Sequence, residues 1–165
     1  MKWITHQAAA VTAALALNLP PEGILAACAG AVLPDVLDQR LSCLALTSRG
    51  RQRAFNRIHR GATHWFGWWI ALFTGAMAAH VSPAPQAMLA GLGFGGLSHV
   101  LLDMCTPQGV PLRPFSRAGR FSFNLCSTGS LGEYCFLACI VAAAWFFLRE
   151  DVLHTARRLA RSGLF

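Results

Sequence analysis

His99 and Asp103 stand four positions apart in an apolar stretch. On a helix they lie about 40° apart around the axis. Both side chains can then reach one metal ion, or the carboxylate can orient the imidazole from behind. A buried polar pair linking helices is the plainer alternative. Leu33-Pro34-Asp35-Val36-Leu37-Asp38 ends another apolar stretch with two carboxylates three positions apart. Unpaired carboxylates at such a place are costly, and two together repel unless a cation sits between them. Pairing with Arg40 or Arg60 at headgroup level would also satisfy them, but Pro34 can bend the backbone and aim them inward.

His59-Arg60-Gly61-Ala62-Thr63-His64 combines two imidazoles, a guanidinium and a glycine. Residues five apart do not share a helix face, so His59 belongs to a loop or cap and His64 to the following helix. Arg60 suits a phosphate or carboxylate, because its planar fork binds two oxygens. Thr63 can cap the helix or hold water. His6, beside Trp3 and Thr5, opens the first apolar stretch, and Glu133 opens the last, where it also favours the positive end of a helix dipole. Ser98, Thr106 and Asn124 are candidate supporting contacts.

These residues need elements that gather them. The apolar segments read as spans at about 4–18, 23–38, 62–81, 86–104 and 131–149; the last three are near the roughly 20 residues of a membrane helix, and the first two are short, alanine-rich and suited to close packing inside a bundle. If they cross alternately, His6, Asp35, Asp38, His59, His64, His99, Asp103 and Glu133 all fall on one face. By the same test His80 falls on the other, and His154 lies in the tail. The expected fold is an all-α polytopic membrane bundle of about five transmembrane helices. Residues 1–150 form its helical domain and 151–165 a basic amphipathic tail. Asn18-Leu19-Pro20-Pro21-Glu22-Gly23 interrupts the first apolar run, so the run reads as a retained helix rather than a cleaved signal. Gly91 and Gly95 read as helix-packing positions, not a nucleotide fingerprint, because no strand precedes them.

Composition agrees. The 165-residue chain is 55% hydrophobic and 13% charged, with mean hydropathy +0.45. A soluble domain carries roughly 25% charged residues. The net charge of +7 would suggest nucleic acid in a soluble protein. Here Arg40, Arg49, Arg51, Arg53, Arg57, Arg60, Arg113, Arg117 and Arg120 crowd two long loops between spans. The positive-inside rule explains them and places that face, with the His/Asp cluster, in the cytoplasm. The six cysteines form no C-x-x-C pair, which speaks against a disulfide framework or zinc ribbon.

Thr5-His6, Leu33-Pro34-Asp35, His59-Arg60-Gly61-x-Thr63-His64 and Ser98-His99-x-x-x-Asp103-x-x-Thr106-x-x-Gly109 together resemble the YdjM-type inner-membrane metal-dependent hydrolases. That family is distantly similar to zinc-dependent phospholipase C and single-strand nucleases. It commonly shows Pro-Asp-x-Asp, where this chain has one residue more between Asp35 and Asp38, and Ser where this chain has Trp65. The resemblance implies a bacterial inner-membrane protein holding one or two divalent ions, zinc foremost with manganese the alternative. His6, Asp35, His59, His64, His99 and Asp103 are the expected ligands. Asp38 or Glu133 would act as base, and Arg60 would clamp an anionic oxygen. The expected activity is hydrolysis of a phosphate ester or polar lipid headgroup among the membrane lipids. Two other classes compete. A metal-stabilised scaffold or partner-binding protein would use the same ligands with a closed shell. An ion transporter would need polar residues through the bilayer, which the fourth and fifth spans lack away from their ends.

Overall fold

The computed structural model of the chain describes residues 1–45, 47–115 and 119–161. Helix α1 spans Trp3–Ala16 and α2 spans Pro21–Gly30. Between them Asn18 turns the chain with a left-handed φ of 53°. Pro21 then opens α2, where its missing N–H would have had no helical partner. The expected span 23–38 is broken in two, because α3 begins afresh at Leu33–Ser42. Pro34 is the physical reason. It removes a backbone donor, and its ring crowds the carbonyl four residues back at the end of α2.

The first long loop contains structure of its own. Helix α4, Ser48–Ile58, is capped by Thr47, whose hydroxyl accepts from Gly50 N–H at 3.0 Å. It has no buried residue and lies along α3. A 3₁₀ turn follows at Ala62–His64, then α5 at Phe66–Ala78 and α6 at Pro83–Met104. His64 therefore sits on a tight turn, not on the long helix expected from residue 62. Two short antiparallel strands, β1 (Val110–Pro111) and β2 (Arg120–Phe121), pair Val110 with Phe121 and Pro111 with Arg120. Helix α7 runs unbroken from Leu131 to Arg161, so no helix boundary separates the expected tail from the last apolar segment. Residues 162–165 of that tail, and Arg117, lie outside the described residues.

Helix α6 is the axis of the fold, with α2 against one side and α5 against another. Its glycines allow this. A Cβ on Gly95 would stand 2.1 Å from the Ala27 carbonyl oxygen of α2, and one on Gly96 would stand 2.0 Å from the Trp69 ring of α5. Backbones approach this closely only where side chains are absent. The consequence reaches the site. With α2 pressed on α6, the carbonyl of Ala31 arrives beside His99, one turn beyond Gly95.

Among the described residues one helix, α6, is long and apolar enough to cross a membrane, with 22 residues and mean hydropathy 1.3 in its apolar window. The expected five crossings do not appear as five such helices. Helix α5 and the Leu131–Phe146 part of α7 are apolar but shorter. The 14 residues of α1 rise only about 21 Å at 1.5 Å each, against a hydrocarbon core of roughly 30 Å.

Candidate metal centre

Four side chains converge from three elements at the end of the bundle. His99 and Asp103 come from the last turns of α6, Asp35 from the first turn of α3, and His64 from the 3₁₀ turn. The Nε2 atoms of His64 and His99 are 3.2 Å apart. Asp35 Oδ1 lies 3.4 Å from His64 Nε2 and 3.7 Å from His99 Nε2. Asp103 Oδ2 lies 3.6 Å and 3.7 Å from the same two nitrogens. Ligands held about 2.0–2.1 Å from a tetrahedral ion stand about 3.3 Å from one another. The separations of each carboxylate from the two imidazoles are close to the edges of such a shell.

The far atom of each side chain is already held. His99 Nδ1 is 2.7 Å from the Ala31 carbonyl oxygen. That acceptor requires the proton on Nδ1 and leaves the Nε2 lone pair facing the centre. His64 Nδ1 has Thr63 Oγ1 at 3.0 Å and Asp38 Oδ2 at 3.5 Å. Asp35 Oδ2 accepts from the Trp3 indole N–H at 2.9 Å. Asp103 Oδ1 accepts from Arg60 Nη2 at 2.9 Å and from the Met1 amino group at 3.1 Å. Asp35 Oδ1, turned inward, is buried without a hydrogen-bond partner. Such an orphan is costly unless something positive meets it. Asp35 sits on the short α3, which is not one of the apolar helices. Burial alone would raise its carboxyl pKa. The His64 imidazole, 3.4 Å away, and those of His99 and His59 outweigh burial and hold it below the usual carboxylate range.

Two further groups flank the centre. Asp38, His59 and His64 could share an ion, with His59 Nδ1 at 3.3 Å from Asp38 Oδ2. So could His6, His99 and Asp103. The His6 ring stacks on His99 with centroids 3.8 Å apart, and its Nε2 is 3.6 Å from Asp103 Oδ1. Both His6 nitrogens are buried and have no hydrogen-bond partner among the described residues.

The model of the YdjM inner membrane protein family matches residues 1–160. This chain belongs to the YdjM inner membrane protein family. Comparison with curated proteins and with solved structures gave no match.

The structure of this YdjM-family chain thus brings together His6, Asp35, Asp38, His59, His64, His99 and Asp103. It does not bring Glu133 among them. Glu133 is fully buried and accepts from Lys2 N–H at 2.6 Å, Thr5 Oγ1 at 2.7 Å and Gly129 N–H at 2.5 Å. It ties the start of α1 to the start of α7. Arg60 is present but turned inward. Its guanidinium is engaged by Thr106 Oγ1 at 2.5 Å as well as by Asp103, and only 5% of the residue is exposed.

Arg60 holds the two aspartate-bearing helices together. Its backbone N–H donates to Asp38 Oδ2 on α3 at 3.1 Å while its side chain reaches Asp103 on α6. A left-handed φ of 54° is what sends the two ends of one residue to two helices. The hairpin contributes by docking Arg120 Nη2 on the Arg60 carbonyl at 3.0 Å. Thr106 is therefore a supporting contact in the YdjM-family centre, as its position near Asp103 suggests. Ser98 instead lines an apolar cavity, and Asn124 is exposed in the loop before α7. The Ala31 carbonyl is the partner that sequence reasoning misses. A backbone oxygen carries no residue signature, and only the glycine pattern of α6 hinted that α2 would come close.

Proposed function

We propose that this chain is a membrane-embedded, metal-dependent hydrolase acting on a phosphate ester or polar lipid headgroup. One observation carries the reading. Two carboxylate oxygens lie within 3.7 Å of the facing His64 and His99 Nε2 atoms, while the other polar atoms of these four side chains are held by neighbours. Without a cation, lone pairs face lone pairs. Two imidazoles with two carboxylates suit zinc, and a carboxylate-rich pair of sites also suits manganese. A bound divalent ion supplies a water of near-neutral pKa and charge stabilisation on the attacked group.

The chain's own residues have separable parts. His64, His99, Asp35 and Asp103 bind. Asp38, placed behind His64 and beside His59, orients the imidazoles. Arg60 fixes Asp103, so in this geometry its pull on an anionic substrate is indirect. His6, stacked on His99, and His59, beside Asp38, flank the centre and are the candidates to hold a second ion or a substrate oxygen.

A second reading is a non-catalytic scaffold stabilised by metal. The count of four donors favours it, because structural shells are closed and catalytic ones keep an open position. One experiment separates the two. Detergent-purified protein is assayed for zinc and manganese by elemental mass spectrometry, then for hydrolysis of phosphodiester and phospholipid panels before and after chelation. The hydrolase reading expects bound metal and chelator-sensitive turnover. Metal without turnover on any substrate selects the scaffold. Well-folded protein that takes up neither ion on reconstitution overturns both.

A further inference from the structure

An apolar cavity of about 620 Å³ opens between α1, α6 and α7. Its walls include Ala9 and Ala13 on α1, Ser98 and Leu101 on α6, and Ile140 on α7. The space exists because α1 presents alanines where a bundle helix commonly presents leucine. Leu17 at one end is 62% exposed and Leu101 is 52% exposed, so the groove is open along its side. Helix α6, which forms its floor, is the helix fit to cross a membrane. In a member of an inner membrane family the medium beside that opening is acyl chain.

The groove is continuous with the metal centre. On α6, Ser98 and Leu102 line the groove while their neighbours His99 and Asp103 turn to the centre. On α1, Ala9 lies one turn beyond His6. One helical turn is about 5.4 Å, the scale that separates the first chain methylenes of a lipid from its phosphoester. The cavity has the volume of a small-ligand pocket, roughly 300–1,000 Å³. That argues for a single flexible chain rather than a second copy of the protein.

We infer that this groove holds one acyl chain of a glycerophospholipid and thereby sets its headgroup at the His6–Asp103 side of the metal centre. The inference rests on the hydrolase reading for the meaning of the headgroup's position. The groove itself is testable without turnover. Purified protein is reconstituted with phosphatidylglycerol carrying a photoactivatable diazirine near the end of one acyl chain. After illumination, labelled peptides are mapped by mass spectrometry in the wild type and in Ala13→Trp, which fills the groove. Ala16→Phe, at the far end, serves as a second variant, and metal content reports that each variant is folded.

The expected result is label on the groove residues of α1 and α6. Filling should reduce it about tenfold, equivalent to some 1.4 kcal/mol of lost affinity. Label on the exposed face of α5, at Ile70 and Met77, should not change. Groove labelling that matches α5 labelling in wild type, or that survives both variants, overturns the inference. So does chain-to-chain crosslinking from a photoreactive amino acid placed at position 9 or 13, which would make a second copy the occupant. Neither outcome depends on turnover. An inactive protein that is labelled in the groove would remove the hydrolase reading and leave the acyl site. Metal-dependent cleavage of soluble phosphodiesters with no groove labelling would do the reverse.

Discussion

Thr5 and His6 are adjacent on α1 and face two buried acidic nodes that are satisfied in opposite ways. Thr5 donates to Glu133, whose carboxylate is surrounded by donors, namely two backbone N–H groups and a hydroxyl. His6 faces Asp103, which with Asp35 meets donors on one oxygen and imidazole edges on the other. Both nodes are acidic, deep and near the same end of the bundle. The first is closed by hydrogen bonding alone and needs nothing more. The second leaves Asp35 Oδ1 and both His6 nitrogens without partners and turns two Nε2 atoms toward each other at 3.2 Å. Burial of a carboxylate therefore does not identify a functional site in this protein. What identifies it is the kind of atom that faces the carboxylate.

The comparison breaks most easily at His99. His99→Ala removes a donor from two of the three candidate groups at once. Metal affinity should fall by more than the roughly 10- to 100-fold typical of losing a supporting partner. Elemental analysis after exhaustive dialysis checks this. Metal retained at wild-type level in the variant would mean that the convergence is not a binding site. Asp38→Asn is the next largest effect. The amide keeps the shape but loses the negative charge behind His64 and His59. Zinc affinity should drop roughly 10- to 100-fold, read by competition with a chromogenic chelator. An unchanged affinity would place Asp38 outside the centre's support.

Much of this contrast was legible in the sequence. The spacing of His99 and Asp103, the Asp35–Asp38 pair, the His59–His64 block and His6 put seven residues in one place, because they mark the ends of apolar segments. The same signal misplaces Glu133, since a segment end shows depth but not neighbours. The fold was legible as a helical bundle but not in its cuts. Pro34 splits one expected span, and the long basic loop holds α4, whose apolar residues are too few to register against its arginines. The path of α2 against α6 was present only as Gly91 and Gly95. The partners those glycines admit, Gly23 and Ala27, carry no chemical label.

Glu133→Gln tests the closed node. Glutamine offers one acceptor oxygen and one donor amide to a cavity that supplies only donors. At least one of the Lys2, Thr5 and Gly129 bonds must be lost and one N–H must face another. Unfolding in detergent should come roughly 1–3 kcal/mol earlier, the cost of leaving a buried polar group unsatisfied. Metal content should be unchanged. Loss of metal with stability intact would join the two nodes into one site and restore Glu133 to the chemistry.

The smallest effect sharpens the contrast most. Trp3→Phe keeps the ring near Asp35 but removes the indole N–H that holds Oδ2 at 2.9 Å. Trp3 is 42% exposed, so water can replace the lost donor, and stability should change by about 0.5–1.5 kcal/mol at most. Water does not fix the direction of the carboxylate, however. If Asp35 Oδ1 faces His64 and His99 because Oδ2 is tethered, the variant should bind metal several-fold more weakly while unfolding almost as the wild type does. A metal titration and a thermal melt on the same preparation check both halves. Equal affinity would show that the ion itself orients Asp35, and that the tether to α1 serves only to dock that helix. A fall in stability as large as that of Glu133→Gln would show that Trp3 belongs to the closed kind of node.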